Sequence, residues 1–154
     1  PGAGNPEEHA GGNRKIVVHQ AQRDKIANDI MRIMETTDDY CAMDYNIDKL
    51  AASIHSNARY VSEVINDTFG RNFRDLLNEY RIKVAMVRLN DIEHYGHLTI
   101  QAISESVGYK SQATFITAFT KFTGLKPSLY QKLSFERYKK NENGQAKAGG
   151  DVQA

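Results

Sequence analysis

The side chains that most often serve in catalysis and metal binding are few in this sequence, and their spacing favours neither role. His94 and His97 flank Gly96 with no third ligand nearby, so we expect exposed or structural histidines rather than a metal pair. Cys41 is the only cysteine, which excludes an intrachain disulfide and a cysteine-based zinc site and fits a reducing compartment. The sequence contains no Ser-His-Asp arrangement, phosphate-cradling glycine loop or nucleophile elbow. We therefore expect neither an enzyme nor a cofactor or metal site.

A different kind of chemistry is offered by a helix predicted to start at Asn57 and to run to about Phe69. A helical period places Val61, Val64 and Ile65 on one side. The other side is polar and carries Arg59, Ser62, Glu63 and Asn66. Such a face suits hydrogen bonding to a partner, although Arg59 and Glu63 can also be ordinary solvated charges.

A second helix of this kind is predicted between Ser111, a plausible N-cap, and the stop residues Gly124 and Pro127. Its apolar side predicts core packing rather than base stacking and carries Phe115, Ala118, Phe119 and Phe122. Its outward side is small, hydroxylated and amide-bearing, with little charge: Gln112, Ala113, Ile116, Thr117, Thr120 and Lys121.

The elements around these two helices are also predicted to be helical, so the fold class is all-α. We expect a disordered tail over 1–18, an amphipathic helix and loop over 19–45, a helix capped by Asn46, a linker helix over 72–90, a loop over 94–98, a closing helix over 127–138 and a second tail over 139–154. The linker helix has two opposed apolar stripes, one from Phe73 to Val87 and the other from Ile82 to Leu89. That pattern predicts a helix sandwiched between two bodies.

An internal duplication relates the two halves of the chain. Ile100, Ile103, Ser104 and Val107 repeat the spacing of Ile47, Leu50, Ala51 and Ile54, and Phe115, Phe119 and Gly124 repeat Val61, Ile65 and Gly70. Each copy is a pair of short helices joined by a few residues, which is the helix-turn-helix pattern. The copies span 46–70 and 99–124. A 19-residue linker is about 28 Å long, close to the roughly 34 Å turn of duplex DNA, so both polar helices could enter successive major-groove segments.

Residues 46–131 resemble the DNA-binding domain of the AraC/XylS family of bacterial transcription regulators, and the first half is similar to members at the C-terminus of larger sensor proteins. The motifs that carry the resemblance are Leu50-Ala51, Arg59-Tyr60-Val61, Phe69-Gly70, Glu79-Tyr80-Arg81-Ile82 with Ala85, Gly108-Tyr109, Ser111-Gln112, Phe115, Phe119, Phe122, Gly124, Pro127 and Tyr130. The resemblance implies two homeodomain-like helix-turn-helix subdomains, double-stranded DNA as partner, and a cytoplasmic, nucleoid-associated location.

The resemblance also implies which residues meet the DNA. Base-reading positions fall on Arg59, Ser62, Glu63, Gln112, Ala113 and Thr117. Phosphate contacts are expected at Asn57, Arg71, Arg74, Lys110, Ser111, Lys121 and Lys126. The second copy departs from the family because Thr117 is not a long basic or amide residue, and Gln131 stands where an arginine often closes the motif. We therefore expect the first copy to read more sequence.

Composition leaves other roles open. The net charge is only +1, so a basic surface must come from the distribution of charges and not from their sum. The alternative to DNA binding is a helical protein-interaction module that docks a partner such as RNA polymerase. Because the chain begins at Pro1 without a methionine, we expect a processed or excised piece of a longer protein that carries a sensor domain, and a minimal regulator without such a domain is the alternative. The sequence contains no run of about 18 apolar residues, so we expect no membrane contact by this segment.

Overall fold

A computed structural model describes the backbone of residues 6–150 and the side-chain environments of residues 19–145, and it confirms the all-α class. The elements in this part of the chain are α1 (Pro6–Thr36), a 3-10 turn (Asp39–Cys41), α2 (Ile47–Ser53), α3 (Ala58–Phe69), α4 (Phe73–Asn90), α5 (Ile92–Tyr95), α6 (Ile100–Ser106), α7 (Gln112–Thr123) and α8 (Pro127–Gly150).

Several predicted boundaries need correction. α1 begins at Pro6, inside the segment 1–18 expected to be a tail, and α8 extends through most of the expected tail 139–154 to Gly150. The C-terminal stretch contains Lys, Glu, Gln and Ala, which favour helix even though no apolar period marks them in the sequence. The tail residues 1–5 and 151–154 lie outside the described residues. The expected loop 94–98 overlaps the short helix α5, whose start is capped by Asp91.

Capping residues set the ends of the duplicated helices, as the sequence predicts at Asn46, Ser111 and Gly124. An N-cap side chain accepts a hydrogen bond from the backbone amide three residues later, at 2.9 to 3.4 Å, at Asn46, Asn57, Thr99 and Ser111. Gly70 and Gly124 end α3 and α7 in the left-handed conformation. Because these signals are local in sequence, they place α2, α3, α6 and α7 within a residue or two.

The chain divides into two compact units, and the first comprises Pro1–Thr37 and Asn46–Phe73. Helix α1 packs against α3 in this unit, so it belongs to the first helix-turn-helix instead of preceding it as a separate element. An ion pair joins Arg23 to Asp67, and the His19 ring meets the Tyr60 ring edge-on at 6.1 Å between centroids. Buried apolar residues of the unit are Ala27, Ile30, Ile33, Met34, Leu50, Ala51, Ile54, Val61, Val64 and Ile65.

The second unit comprises Asp38–Tyr45 and Arg74–Ala154. Its core combines α4, α6, the turn before α7 and α7 itself, and contains Ile82, Ala85, Leu89, Ile103, Val107, Tyr109, Phe115, Ala118 and Phe119. Phe115 and Phe119 are fully buried, as predicted from the stripe. Phe122 was expected in the same core but, in the last turn of α7, it is 39% exposed.

Helix α4 shows one predicted stripe in full and the other in part. Ile82, Ala85 and Leu89 of the second stripe are buried in the core of the second unit. Of the first stripe, Leu76 is buried whereas Val87, three turns later on the same side, is 68% exposed. A helical period predicts on which side of α4 a residue lies, but it does not predict how much of that side is covered by other parts of the protein.

A buried arginine fixes the turn that leads into α7. Arg81 is only 7% exposed; its Nε donates to the Tyr40 carbonyl at 2.6 Å and its Nη2 to the Ala42 carbonyl at 2.8 Å. The guanidinium carbon also lies 5.5 Å from the centre of the Tyr109 ring, within the range of a cation–π contact. Burial lowers the pKa of Arg81 from its ordinary value, and the two carbonyls compensate the buried charge by hydrogen bonding.

Gly108 completes this arrangement because no side chain fits there. A Cβ at Gly108 would lie 2.8 Å from the Arg81 guanidinium carbon and 2.8 Å from the Cys41 carbonyl oxygen, and its φ of +102° strains any other residue. We expect Gly108→Ala to lower the free energy of unfolding by about 2–4 kcal/mol, measured by urea denaturation. Gly70→Ala is the matched control, since φ is +65° there with no atom within 4 Å, and should cost about 1 kcal/mol. Equal losses would show that Arg81 does not constrain the turn.

The corresponding turn of the first copy carries His55, which occupies the place of Gly108 in the duplication. His55 is exposed with φ +55°, which costs a non-glycine residue energy. We expect His55→Gly to raise the free energy of unfolding by about 0.5–1 kcal/mol in the same assay. His97→Gly, at an exposed histidine outside the positive-φ region, should give no gain. A similar rise in both variants would contradict the strain at His55.

Candidate nucleic-acid interface

In the first unit, the polar side of α3 faces solvent as the sequence predicts. The Arg59 side chain is 89% exposed, and its Nε lies 3.4 Å from Glu63 Oε1, one helical turn further on. Ser62 is half-buried between them along the helix. Asn57 uses its side-chain oxygen to cap the helix, and Arg71 lies half-buried just after Gly70. Because an exposed ion pair contributes little, Arg59 can exchange Glu63 for another acceptor at small cost.

In the second unit, a groove of about 810 Å³ opens between the first half of α4 and one side of α7. It brings together six of the predicted contact residues from two separate parts of the sequence: Arg74, Lys110, Ser111, Ala113, Thr117 and Lys121. The floor is formed by apolar and aromatic groups that include Leu77, Tyr109 and Ala118. Gln112 and Lys126 are exposed but do not line the groove.

The charges of the groove are mostly positive. Arg74, Lys110 and Lys121 are exposed cations along it, whereas the guanidinium of Arg81 is already bound to backbone carbonyls. Asp75 supplies the one carboxylate among the lining residues, and its Oδ1 lies 3.7 Å from Lys121 Nζ. A polyanion that entered this groove would therefore meet an excess of positive charge.

Two side chains of α7 offer methyl groups at the mouth of the groove. Thr117 Oγ1 donates its hydrogen to the Ala113 carbonyl at 3.0 Å, so its methyl group and a lone pair remain for a partner. Ala113 itself is exposed and can offer only its methyl. Ser111 accepts from the Thr114 amide and so supports the start of the helix. Ala113 and Thr117 can therefore make apolar contacts, and Thr117 can also accept a hydrogen bond.

Tyr109 anchors the groove floor. Its hydroxyl donates to Asn78 Oδ1 at 2.7 Å, and burial raises the pKa of Tyr109 to about 12, so the phenol stays protonated at neutral pH. The Tyr109 ring packs on Phe115 at 5.4 Å between centroids, which connects the turn to the core. These buried contacts restrain the floor of the groove, from whose edges the cations extend.

Sequence reasoning did not find Asp75, Asn78 or Thr114 as members of this site. The tertiary contact that brings α4 beside α7 is not written in any local pattern, so only charge adjacency to Arg74 could have drawn attention to Asp75. The roles of all thirteen contact residues remain predictions.

Other reactive groups show no second site in the described part of the chain. No group of three or more His, Cys, Asp or Glu residues there could hold a metal ion, and no helix there could span a membrane. Burial raises the pKa of the Cys41 thiol, which keeps it protonated and weakly nucleophilic. His94 is exposed and hydrogen-bonded to Asp91 at 2.9 Å, which raises the pKa of the imidazole from its usual value.

The fold and this exposed polar surface define a protein of the helix-turn-helix class. A family model described as a helix-turn-helix domain matches residues 50–133, more than half of the chain. Together with the structural neighbours below, this match shows that the chain belongs to the AraC-type helix-turn-helix family of transcription regulators.

Known proteins similar to the chain support this assignment. An uncharacterized HTH-type transcriptional regulator YtdP of Bacillus subtilis is 27% identical over 86 residues, which are 56% of this chain but 11% of that protein. The C-terminal domain of AraT, a response regulator from Geobacillus stearothermophilus, is 27% identical with a TM-score of 0.58, over 71% of this chain and 84% of that one. The C-terminal domain of the two-component response regulator yesN from Fusobacterium nucleatum is 26% identical with a TM-score of 0.56, over 66% and 93%.

Proposed function

We propose that this chain binds double-stranded DNA in a sequence-specific manner to regulate transcription, by inserting α3 and α7 into successive major-groove segments. The observation that carries the proposal is the groove of the second unit. It gathers two predicted base readers, Ala113 and Thr117, beside three exposed cations, Arg74, Lys110 and Lys121. Base edges and phosphates lie side by side in a major groove, so one protein surface must contain both base-reading side chains and cations that bind phosphates.

The two helices present different chemistry to the bases. Arg59 on α3 can form a bidentate pair with guanine, and Glu63 can accept from the N4 amino group of cytosine. On α7, Gln112 can pair with adenine, while the methyl groups of Ala113 and Thr117 fit the methyl of thymine. Because bidentate charged pairs discriminate more strongly than methyl contacts, we infer that α3 supplies more of the sequence preference and α7 more of the positioning.

Phosphate contacts would supply most of the affinity. The exposed cations Arg74, Lys110, Lys121 and Lys126 belong to the second unit, and Arg71 with the capped start of α3 serves the first. The backbone amides at the starts of α3 and α7 add partial positive charge where phosphates would approach. A chain with a net charge of +1 depends on this local concentration, and not on its total charge, to attract DNA.

A second candidate role is docking to a protein such as RNA polymerase. The observation that favours it is a set of large apolar side chains exposed by 39–44% on α7 and α8, namely Phe122, Leu129 and Leu133. The two roles are compatible within one regulator. Because the chain spans 11% of the length of the curated relative that it matches, we also infer that a sensor domain in the same native protein controls it.

DNA binding through several phosphates predicts a steep dependence on salt. We expect fluorescence anisotropy with a random-sequence duplex to give a logarithmic plot of affinity against salt whose slope is about −0.9 per phosphate contacted. Selection of bound sequences from a random pool should then yield sites with two conserved segments about one helical turn apart. Absence of any binding to either kind of duplex at low salt would contradict the proposed function and leave protein docking as the alternative.

A variant of α3 tests base reading directly. On the selected duplex, Arg59→Ala should lower affinity by about 1–3 kcal/mol and relax the preference at one base pair, because the bidentate contact is lost. Arg32→Ala is the matched control, since Arg32 on α1 is also an exposed arginine in a surface ion pair, in this case with Asp29. Equal losses in the two variants, or a selected half-site for α7 that is the more sensitive to base substitution, would contradict reading by Arg59.

A further inference from the structure

Asp75 is an unexpected residue to find in a groove that we assign to DNA. It lies in the first turn of α4, and its side chain is 40% exposed beside Lys121, which is 67% exposed. A carboxylate there would repel phosphates if it stood alone. The 3.7 Å separation between Asp75 Oδ1 and Lys121 Nζ instead pairs it with a cation that the DNA would also attract.

Lys121 lies on the same side of α7 as the predicted base readers. Ala113, Thr117 and Lys121 follow one another at intervals of four residues, so the three side chains form one row along the helix. All three line the groove, and Lys121 ends the row opposite α4. In the free protein, the ammonium group is therefore directed across the groove toward Asp75.

Whether Lys121 exchanges Asp75 for a phosphate as its partner depends on how closely the DNA approaches. An exposed ion pair is weak, so a phosphate brought to contact distance by insertion of α7 can replace the carboxylate. In a loosely bound complex, the phosphates lie within reach of the Lys121 side chain only if it extends away from Asp75, and their screened attraction does not draw the ammonium from a carboxylate 3.7 Å away. The pair therefore responds to seating of the helix and not merely to the presence of DNA.

We propose that Asp75 is a specificity-determining residue that keeps Lys121 from phosphates in non-specific complexes and releases it in the correctly seated complex. This inference rests on the proposed DNA-binding function. Asp75 acts through Lys121 and is a positioning residue. Non-specific affinity comes almost entirely from phosphate contacts, so withholding one cation lowers it while the specific complex keeps the contact.

Neutralising Asp75 tests the proposal. With the full chain in fluorescence anisotropy, Asp75→Asn should raise affinity for a random duplex about threefold to tenfold and steepen its salt slope by about 0.9, because Lys121 gains a phosphate. Affinity for the selected duplex should change by less than about twofold, because Lys121 already contacts a phosphate there. The control Glu136→Gln makes the same change in net charge at an exposed residue of α8 outside the groove and should alter neither value.

A double variant tests whether the effect passes through Lys121. In the Lys121→Gln background, Asp75→Asn should no longer raise affinity for the random duplex above that of the wild-type chain. A rise that persists there would show direct repulsion of phosphates by Asp75 and would overturn the positioning role. Identical changes in Asp75→Asn and Glu136→Gln would overturn it as well, because net charge alone would then explain them.

Two further comparisons keep the test decisive. If circular dichroism shows that Asp75→Asn does not fold, Lys121→Gln alone should lower the ratio of specific to non-specific affinity about threefold, whereas Lys110→Gln should lower both affinities and leave the ratio unchanged. Equal ratios in these two lysine variants would contradict the proposal. A wild-type chain that binds neither duplex would instead contradict the proposed DNA binding itself. Failure of the proposed function and failure of the role of Asp75 are therefore distinguishable.

Discussion

The interaction on which the second unit depends most is the burial of the Arg81 guanidinium beneath Gly108. It joins two carbonyls of the segment Asp38–Tyr45, the ring of Tyr109 and the turn before α7 in one place. Burying a cation is expensive, and the hydrogen bonds and ring contact offset that cost only when their geometry is kept. The position of α7 is therefore determined by a polar contact that tolerates little displacement, in addition to the apolar core beneath it.

The same constraint explains how the duplicated halves came to differ. Both copies need a residue with positive φ between their two helices, and the first has His55 there while the second has Gly108. An exposed histidine is possible in the first copy because its side chain points into solvent. In the second copy, Arg81 and the Cys41 carbonyl occupy the space of any Cβ, so glycine is required. One backbone conformation thus serves two different surroundings.

Local features of the sequence predicted more of this fold than of its site. The predicted N-caps Asn46 and Ser111 and the stripe of Phe115 and Phe119 act within a few residues, and they located the duplicated helices. The packing of α1 on α3, the groove between α4 and α7, and the role of Arg81 depend on contacts between segments far apart in sequence. Periodicity carries no information about them, just as it could not show that Phe122 lies beyond the core.

The near-neutral charge of the chain is compatible with the proposed DNA binding because electrostatic forces act over a short range at physiological salt. Screening at physiological salt acts over roughly 8 Å, so carboxylates on distant surfaces scarcely affect a phosphate in the groove. What matters is the local set: three exposed cations against Asp75 in the second unit, and Arg59 against Glu63 in the first. In both units a cation of the predicted recognition helix, Arg59 on α3 and Lys121 on α7, forms a weak pair with a carboxylate. Such pairs lower the attraction of the cation to any polyanion. A partner that fits closely enough to replace the carboxylate regains that attraction. Specificity then comes from closeness of fit, since the net charge supplies little attraction of its own.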